Sequence, residues 1–216
     1  MKRALQVMLA VLVVGMFMVT PVAAATSQGL EWGFVIADRF DYTLTNTEDD
    51  FSEDIYLNVT GMPALAIPDP IGAWSAIPEP SIGFWWANGT SMGLYVLLFI
   101  GIIAVGSKIA VPIGNFTHLQ SLVQPVITGE TIIDTSNTWG IEWSQDSTAT
   151  EKFVITITYA KVDGFLAEYS METKSTLNSS VLESLSVERD SIPSPGLPTG
   201  DILQLIQDNI LYIAIG

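Results

Sequence analysis

FVITITYAKVDGFLAEYSM, residues 153–171, is the stretch that decides the fold. Phe153, Ile155, Ile157 and Tyr159 alternate with Val154, Thr156, Thr158 and Ala160, the period of two that puts successive side chains on opposite faces of a strand. Asp163-Gly164 follows, and Phe165, Ala167, Tyr169 and Met171 resume the same period. Asp-Gly between two alternating runs is a hairpin signal, because glycine accepts the positive φ that tight turns require. An antiparallel pair is therefore expected here, and the rest of the chain is read around it.

Further strands are expected on both sides. Trp139, Ile141 and Trp143 alternate before the hairpin, and residues 181–189 read as a further strand on Val181, Leu185 and Val187, with a helix as the alternative. Residues 32–45 read as a strand, with a break at Ala37-Asp38. An acidic loop around Glu48-Asp49-Asp50 and Glu53-Asp54 leads to another strand, Ile55–Thr60. Residues 115–123 read as a short helix: Asn115 or Thr117 caps it, Leu119, Leu122 and Val123 share a face, and Pro125 stops it. The expected class is mainly β (α+β), a curved antiparallel sheet or half-barrel packed on a short helix.

Two regions resist this pattern. Residues 62–81 carry five prolines (63, 68, 70, 78 and 80) and read as a long ordered loop or an edge excursion, a candidate for a variable contact surface. Met92–Val105 is nearly uncharged and fits buried strands, a soluble helix or a membrane helix. Its Val, Ile, Phe and Tyr content favours strands, and its length falls short of the roughly 20 residues of a bilayer span.

The ends speak to location. Lys2 and Arg3, the apolar run Ala4–Met18, Pro21 and the alanines at 23–25 follow the order of a secretory signal peptide. The expectation is export, with cleavage near Ala25 and an uncleaved anchor as the alternative. Residues 26–190 then form an extracytoplasmic domain. Residues 191–200 (SIPSPGLPTG) form a Pro/Gly linker, and 201–216 a terminal helix or a truncated membrane anchor, so a tether at the C-terminus is possible.

Composition removes whole classes of function. The chain holds 8 Lys and Arg against 23 Asp and Glu, for a net charge of −15, or −17 without Lys2 and Arg3. Six basic residues in the body cannot build a phosphate-neutralising patch, so nucleic acid is excluded as a partner. There is no cysteine, hence no thiol nucleophile and no disulfide, and His118 is the only histidine. The fold must therefore rest on its core.

Four stretches carry a resemblance to a known group. They are the opening Trp32, Asp38-Arg39-Phe40-Asp41-Tyr42, Pro112-Ile113-Gly114-Asn115-Phe116, and residues 159–169 (YAKVDGFLAEY). Over residues 30–190 the chain resembles uncharacterised exported archaeal surface proteins with a β-rich domain, a Pro-rich spacer and a C-terminal anchor. The resemblance implies a curved antiparallel sheet wrapping a helix and carries over no catalytic residue. Many members of that group place glycine where this chain has Ala37.

Candidate site residues fall into four sets. Trp74, Trp85 and Trp86, in or beside the Pro-rich loop, are expected to contact a sugar or lipid, whereas Trp32, Trp139 and Trp143 are expected in the core. Asp49, Asp50, Glu53 and Asp54 offer oxygens to Ca²⁺, the one cofactor considered, without the EF-hand order; a solvated loop is the plainer reading. Asn58, Asn88, Asn115 and Asn178 begin sequons, with Asn115 also placed to cap the helix. Glu142 with Asp146, and Glu168 with Glu172, are the carboxylate pairs to consider for glycoside hydrolysis. Glu168 and Glu172, four apart on a strand, are about 13 Å apart by strand rise, too far for that chemistry. The expected function is a non-catalytic structural or binding domain at the cell surface, with cell-envelope components as partners. The alternatives are a carrier of a hydrophobic ligand in a sheet-enclosed cavity and a carboxylate-dependent glycoside hydrolase.

Overall fold

The computed structural model describes residues 26–65, 70–99, 108–126 and 129–193. The expected signal peptide, the tail at 201–216 and most of the linker lie outside them. The described chain builds one curved, open antiparallel sheet of eight strands and one short α-helix, as expected for the mainly β class. In chain order the strands are β1 (Arg39–Asn46), β2 (Phe51–Gly61), β3 (Ser81–Trp86), β4 (Thr131–Asp134), β5 (Thr138–Asp146), β6 (Glu151–Ala160), β7 (Leu166–Ser175) and β8 (Val181–Arg189). Their order across the sheet is β3-β2-β1-β8-β7-β6-β5-β4, which leaves β3 and β4 at the edges.

The deciding hairpin forms as read. β6 pairs with β7 from Glu151↔Ser175 to Tyr159↔Leu166, with an irregularity after Thr158. β8 then returns along β7 and pairs on its far side with β1. Alternation sorts the side chains: Tyr42, Leu44, Ile55, Leu57, Trp139, Ile157, Tyr159, Tyr169 and Val187 are buried in one core. Thr43, Thr45, Thr156, Glu168, Ser186 and Glu188 occupy the opposite register positions.

The helix α1 (Phe116–Val123) starts where Asn115 Oδ1 accepts the backbone N–H of His118 at 3.0 Å and buries Leu119, Leu122 and Val123. It meets the sheet through Phe116, whose ring lies 5.9 Å from that of Trp139. Trp139 also packs against Tyr159 at 6.1 Å and Trp74 at 6.4 Å. The space between helix and sheet is thus filled by aromatic rings where it is described.

Three expectations about elements need correction. The strand read over 32–45 begins only at Arg39. Ala37 takes φ +78°, and Asp38 Oδ2 accepts the N–H of Val35 at 2.8 Å, so 35–38 is a turn that exposes Ile36. The strand read at 55–60 starts earlier, at Phe51, which places Glu53 and Asp54 on β2 rather than in a loop. Residues 93–99 form a 3₁₀ helix instead of a strand. Gly93 starts it at φ +54°, and Leu94 and Tyr95 are exposed, so these residues do not have the two buried faces of a central strand. Residues 100–107 lie outside the described chain.

The Pro-rich stretch, read as an ordered loop, is docked on the core where it is described. Leu65, Ile71, Trp74 and Ile77 are buried, and Trp74–Ala76 make a 3₁₀ turn. The Gln28 side chain clasps Ile71 from both sides: its Nε2 donates to the Ile71 carbonyl at 3.0 Å and its Oε1 accepts the Ile71 N–H at 2.8 Å. Lys108, itself buried, pairs with Glu79 at 3.0 Å. Prolines keep the segment out of the ladder, and its apolar residues dock it on the core.

Candidate functional site

At the β3 edge of the sheet the chain leaves a cleft of about 540 Å³, lined by Phe51, Glu53, Asp54, Trp86, Ala87, Asn88, Thr90 and Tyr95. That volume falls within the roughly 300–1,000 Å³ of small-ligand sites. Three separate pieces of chain make it. β2 supplies Phe51, Glu53 and Asp54, β3 and the turn after it supply Trp86 to Thr90, and the 3₁₀ segment supplies Tyr95.

Local chemistry explains why these pieces meet. β3 pairs with β2 with Ile55 opposite Trp86 and Tyr56 opposite Trp85. At Asn88-Gly89 the chain turns, with Gly89 at φ +83°. The Trp86 N–H donates to the Thr90 carbonyl at 2.9 Å, and the Ala87 N–H donates to Asp54 at 2.9 Å, which ties the turn to β2. Trp86 and Tyr95 then meet edge to face, centroids 5.3 Å apart. Tyr95 is 59% exposed and Trp86 half-buried, so an aromatic corner faces solvent beside Glu53, which shares the Trp86 face of the sheet, while Asp54 takes the other face and meets the turn through its carbonyl.

The three candidate tryptophans part company. Trp74 is 3% exposed, so it is a core residue and not a contact residue. Trp85 and Trp86 are consecutive on a strand and point to opposite faces. Trp85 stacks on Tyr56 with centroids 6.3 Å apart and donates to Asn58 Oδ1 at 2.8 Å. Arg39 caps that stack, 3.8 Å over the Tyr56 ring, while it pairs with Asp41 at 2.6 Å. Trp86 alone reaches the cleft. The expected core tryptophans behave as read for Trp32 and Trp139, and Trp143 is half-buried against the core.

Among the described residues no group of three or more His, Cys, Asp or Glu side chains is placed to hold a metal ion. Asp49, Asp50, Glu53 and Asp54 do not converge: Asp49 accepts from Asn46 Nδ2 at 2.8 Å, Asp50 sits at φ +51°, and Glu53 and Asp54 take alternate positions on β2. Glu53 and Asp54 instead join Trp86 and Asn88 at the cleft.

The sequons also divide. Asn88 and Asn178 are exposed in turns, while Asn58 lies within β2 and Asn115 caps α1.

A second groove, of about 200 Å³, is lined by Ile133, Thr138, Thr158, Ala167, Glu168, Glu188, Arg189 and Ile192. Glu168 stands directly opposite Glu188 across β7 and β8. Burial first, then the charges of Glu188 and Glu172, push the Glu168 carboxyl above its usual range. Glu172 meanwhile pairs with Lys174 at 2.5 Å. Glu142 and Asp146 lie four apart on β5, a spacing as long as that of Glu168 and Glu172. The Glu168–Glu188 pair escaped the sequence reading because residue spacing reveals nothing about the register between two strands.

Comparison with known proteins adds no relative: no family model, no curated protein and no solved structure matches the chain.

Proposed function

We propose that this chain is an extracytoplasmic, non-catalytic binding domain of the cell surface, whose site is the cleft at Phe51, Glu53, Asp54, Trp86, Asn88 and Tyr95. The observation that carries the reading is the pairing of half-exposed Trp86 and exposed Tyr95 with the Glu53 carboxylate, on the same face of the sheet, in a cleft large enough for a small ligand. Aromatic faces take up the apolar face of a sugar ring, and carboxylate and amide oxygens accept its hydroxyl protons. Among the described residues no lysine or arginine lines the cleft, and the chain carries −15 overall. A neutral or amine-bearing saccharide therefore fits, and an acidic one meets repulsion. Location outside the cytoplasm is supported by the Lys2-Arg3 head, the apolar run to Met18 and the alanines at 23–25.

The test is a tryptophan-fluorescence titration of the purified chain with neutral, amino and uronic-acid oligosaccharides. Saturable binding is expected for the first two, with the uronic acids weakest. Equal binding of all three, or preference for the acids, contradicts the reading. The carrier alternative finds less support, because Trp74, Phe116, Trp139 and Tyr159 fill the described space between sheet and helix.

A further inference from the structure

We propose that Asn88 and Asn178 are N-glycosylation acceptors of the folded chain, and that Asn58 and Asn115 are closed to that reaction although all four begin sequons. Asn88 also lines the cleft, so a glycan attached there would stand beside whatever the cleft binds.

The two open sites share one geometry, built twice at unrelated places in the fold. In Asn88-Gly89-Thr90, Asn88 Oδ1 accepts the Thr90 N–H at 2.9 Å and the Thr90 hydroxyl at 2.7 Å. In Asn178-Ser179-Ser180, Asn178 Oδ1 accepts the Ser180 N–H at 3.1 Å and the Ser180 hydroxyl at 2.8 Å. The middle residue has positive φ in both, +83° at Gly89 and +59° at Ser179. All six residues are exposed. With Oδ1 turned inward and held twice, the amide Nδ2 faces away from the turn, on the side an enzyme can approach.

The other two sites lack this arrangement. Asn58 lies mid-strand, paired with Arg39 on one side and Gly83 on the other, and its Oδ1 is taken by the Trp85 indole rather than by Thr60. Asn115 spends the reacting atom itself: its Nδ2 donates to the Gln28 carbonyl at 2.8 Å while its Oδ1 caps α1. Either site must open locally before it can react.

The co-reactant is a polyprenyl-diphosphate-linked oligosaccharide. A bond forms between Nδ2 and the anomeric carbon, and the bond from that carbon to the diphosphate oxygen breaks. The electron pair leaves with the polyprenyl diphosphate, and Nδ2 gives up one proton to the transferring enzyme.

The test incubates the folded, purified chain with an oligosaccharyltransferase and its lipid-linked donor, and reads occupancy at each sequon by peptide mass. Tryptic peptides of the same chain serve as the unfolded control. In the folded chain, occupancy at Asn88 and Asn178 is expected to exceed that at Asn58 and Asn115 by at least about tenfold, since the closed sites pay for local opening. In the peptides that gap is expected to vanish. Equal modification of Asn58 or Asn115 in the folded chain, no modification of Asn88 and Asn178 there, or the same gap in the peptides would each overturn the proposal.

Discussion

Two turns of this molecule have nearly the same local chemistry and opposite fates. Asp163-Gly164 joins β6 to β7, and Asn88-Gly89 follows β3; the glycines sit at φ +77° and +83°. Around Gly164 the space is full: an added Cβ would run into the carbonyl oxygen of Val111, whose N–H already donates to the Gly164 carbonyl at 2.8 Å. Asp163 is held by both terminal nitrogens of Arg189, at 3.0 and 2.8 Å, and accepts the Phe165 N–H at 2.9 Å. Arg189 lies 4.5 Å over the Phe40 ring, which stacks on Phe165. Around Gly89, by contrast, nothing comes within 4 Å of an added Cβ. The first turn is a frame for the core. The second is surface that chemistry can use.

The largest effect expected from breaking the frame is at the ion pair. Arg189→Met leaves the Asp163 charge with little compensation, and its cost is expected at about 3–5 kcal/mol in a urea melt. Gly164→Ala combines a backbone clash with left-handed strain and is expected to cost about 3 kcal/mol. Gly89→Ala carries the strain alone, about 1 kcal/mol. Equal losses at the two glycines would break the comparison.

A third turn sharpens it. Ala37 holds φ +78° without being glycine, so Ala37→Gly is expected to stabilise the chain by about 0.5–1 kcal/mol. A loss of stability would show that the methyl group contributes packing greater than the strain.

Smaller still is the effect at Glu168, on the sheet between the two turns. Its carboxyl is raised by burial and by the facing Glu188, so the folded chain holds this proton more tightly than the unfolded chain does. That contribution is full below the unfolded value and fades as pH rises through the raised one. Glu168→Gln is expected to raise Tm at pH 7 by about 1–2 °C, because a partly solvated pair is screened. The difference should shrink on acidification, and a difference that grows instead would contradict the assigned sign.

The frame was legible in the sequence and the cleft was not. Phe153–Tyr159, the Asp163-Gly164 turn and Val181–Val187 announce themselves because period two and turn chemistry are local. Asn115 was readable as a cap for the same reason. β3 was hidden: its Trp85-Trp86 pair adjoins prolines at 78 and 80, and an edge strand needs no clean alternation. The 3₁₀ segment at 93–99 reads as apolar strand until Gly93 and the exposure of Leu94 are known. The cleft joins residues 51–54, 86–90 and 95, and the Glu168–Glu188 pair joins two strands. Both depend on register and docking, which residue order does not encode locally.

Under the proposed function, ligand recognition belongs to the open turn and its aromatic corner rather than to the carboxylate groove on the sheet. The direct measurement is calorimetric titration of a neutral oligosaccharide into the wild-type chain, Trp86→Ala and Glu168→Gln. Trp86→Ala is expected to weaken binding by about thirtyfold, the loss typical of a central aromatic contact, with Glu168→Gln indistinguishable from wild type. Unchanged affinity in Trp86→Ala, or a loss confined to Glu168→Gln, would contradict it.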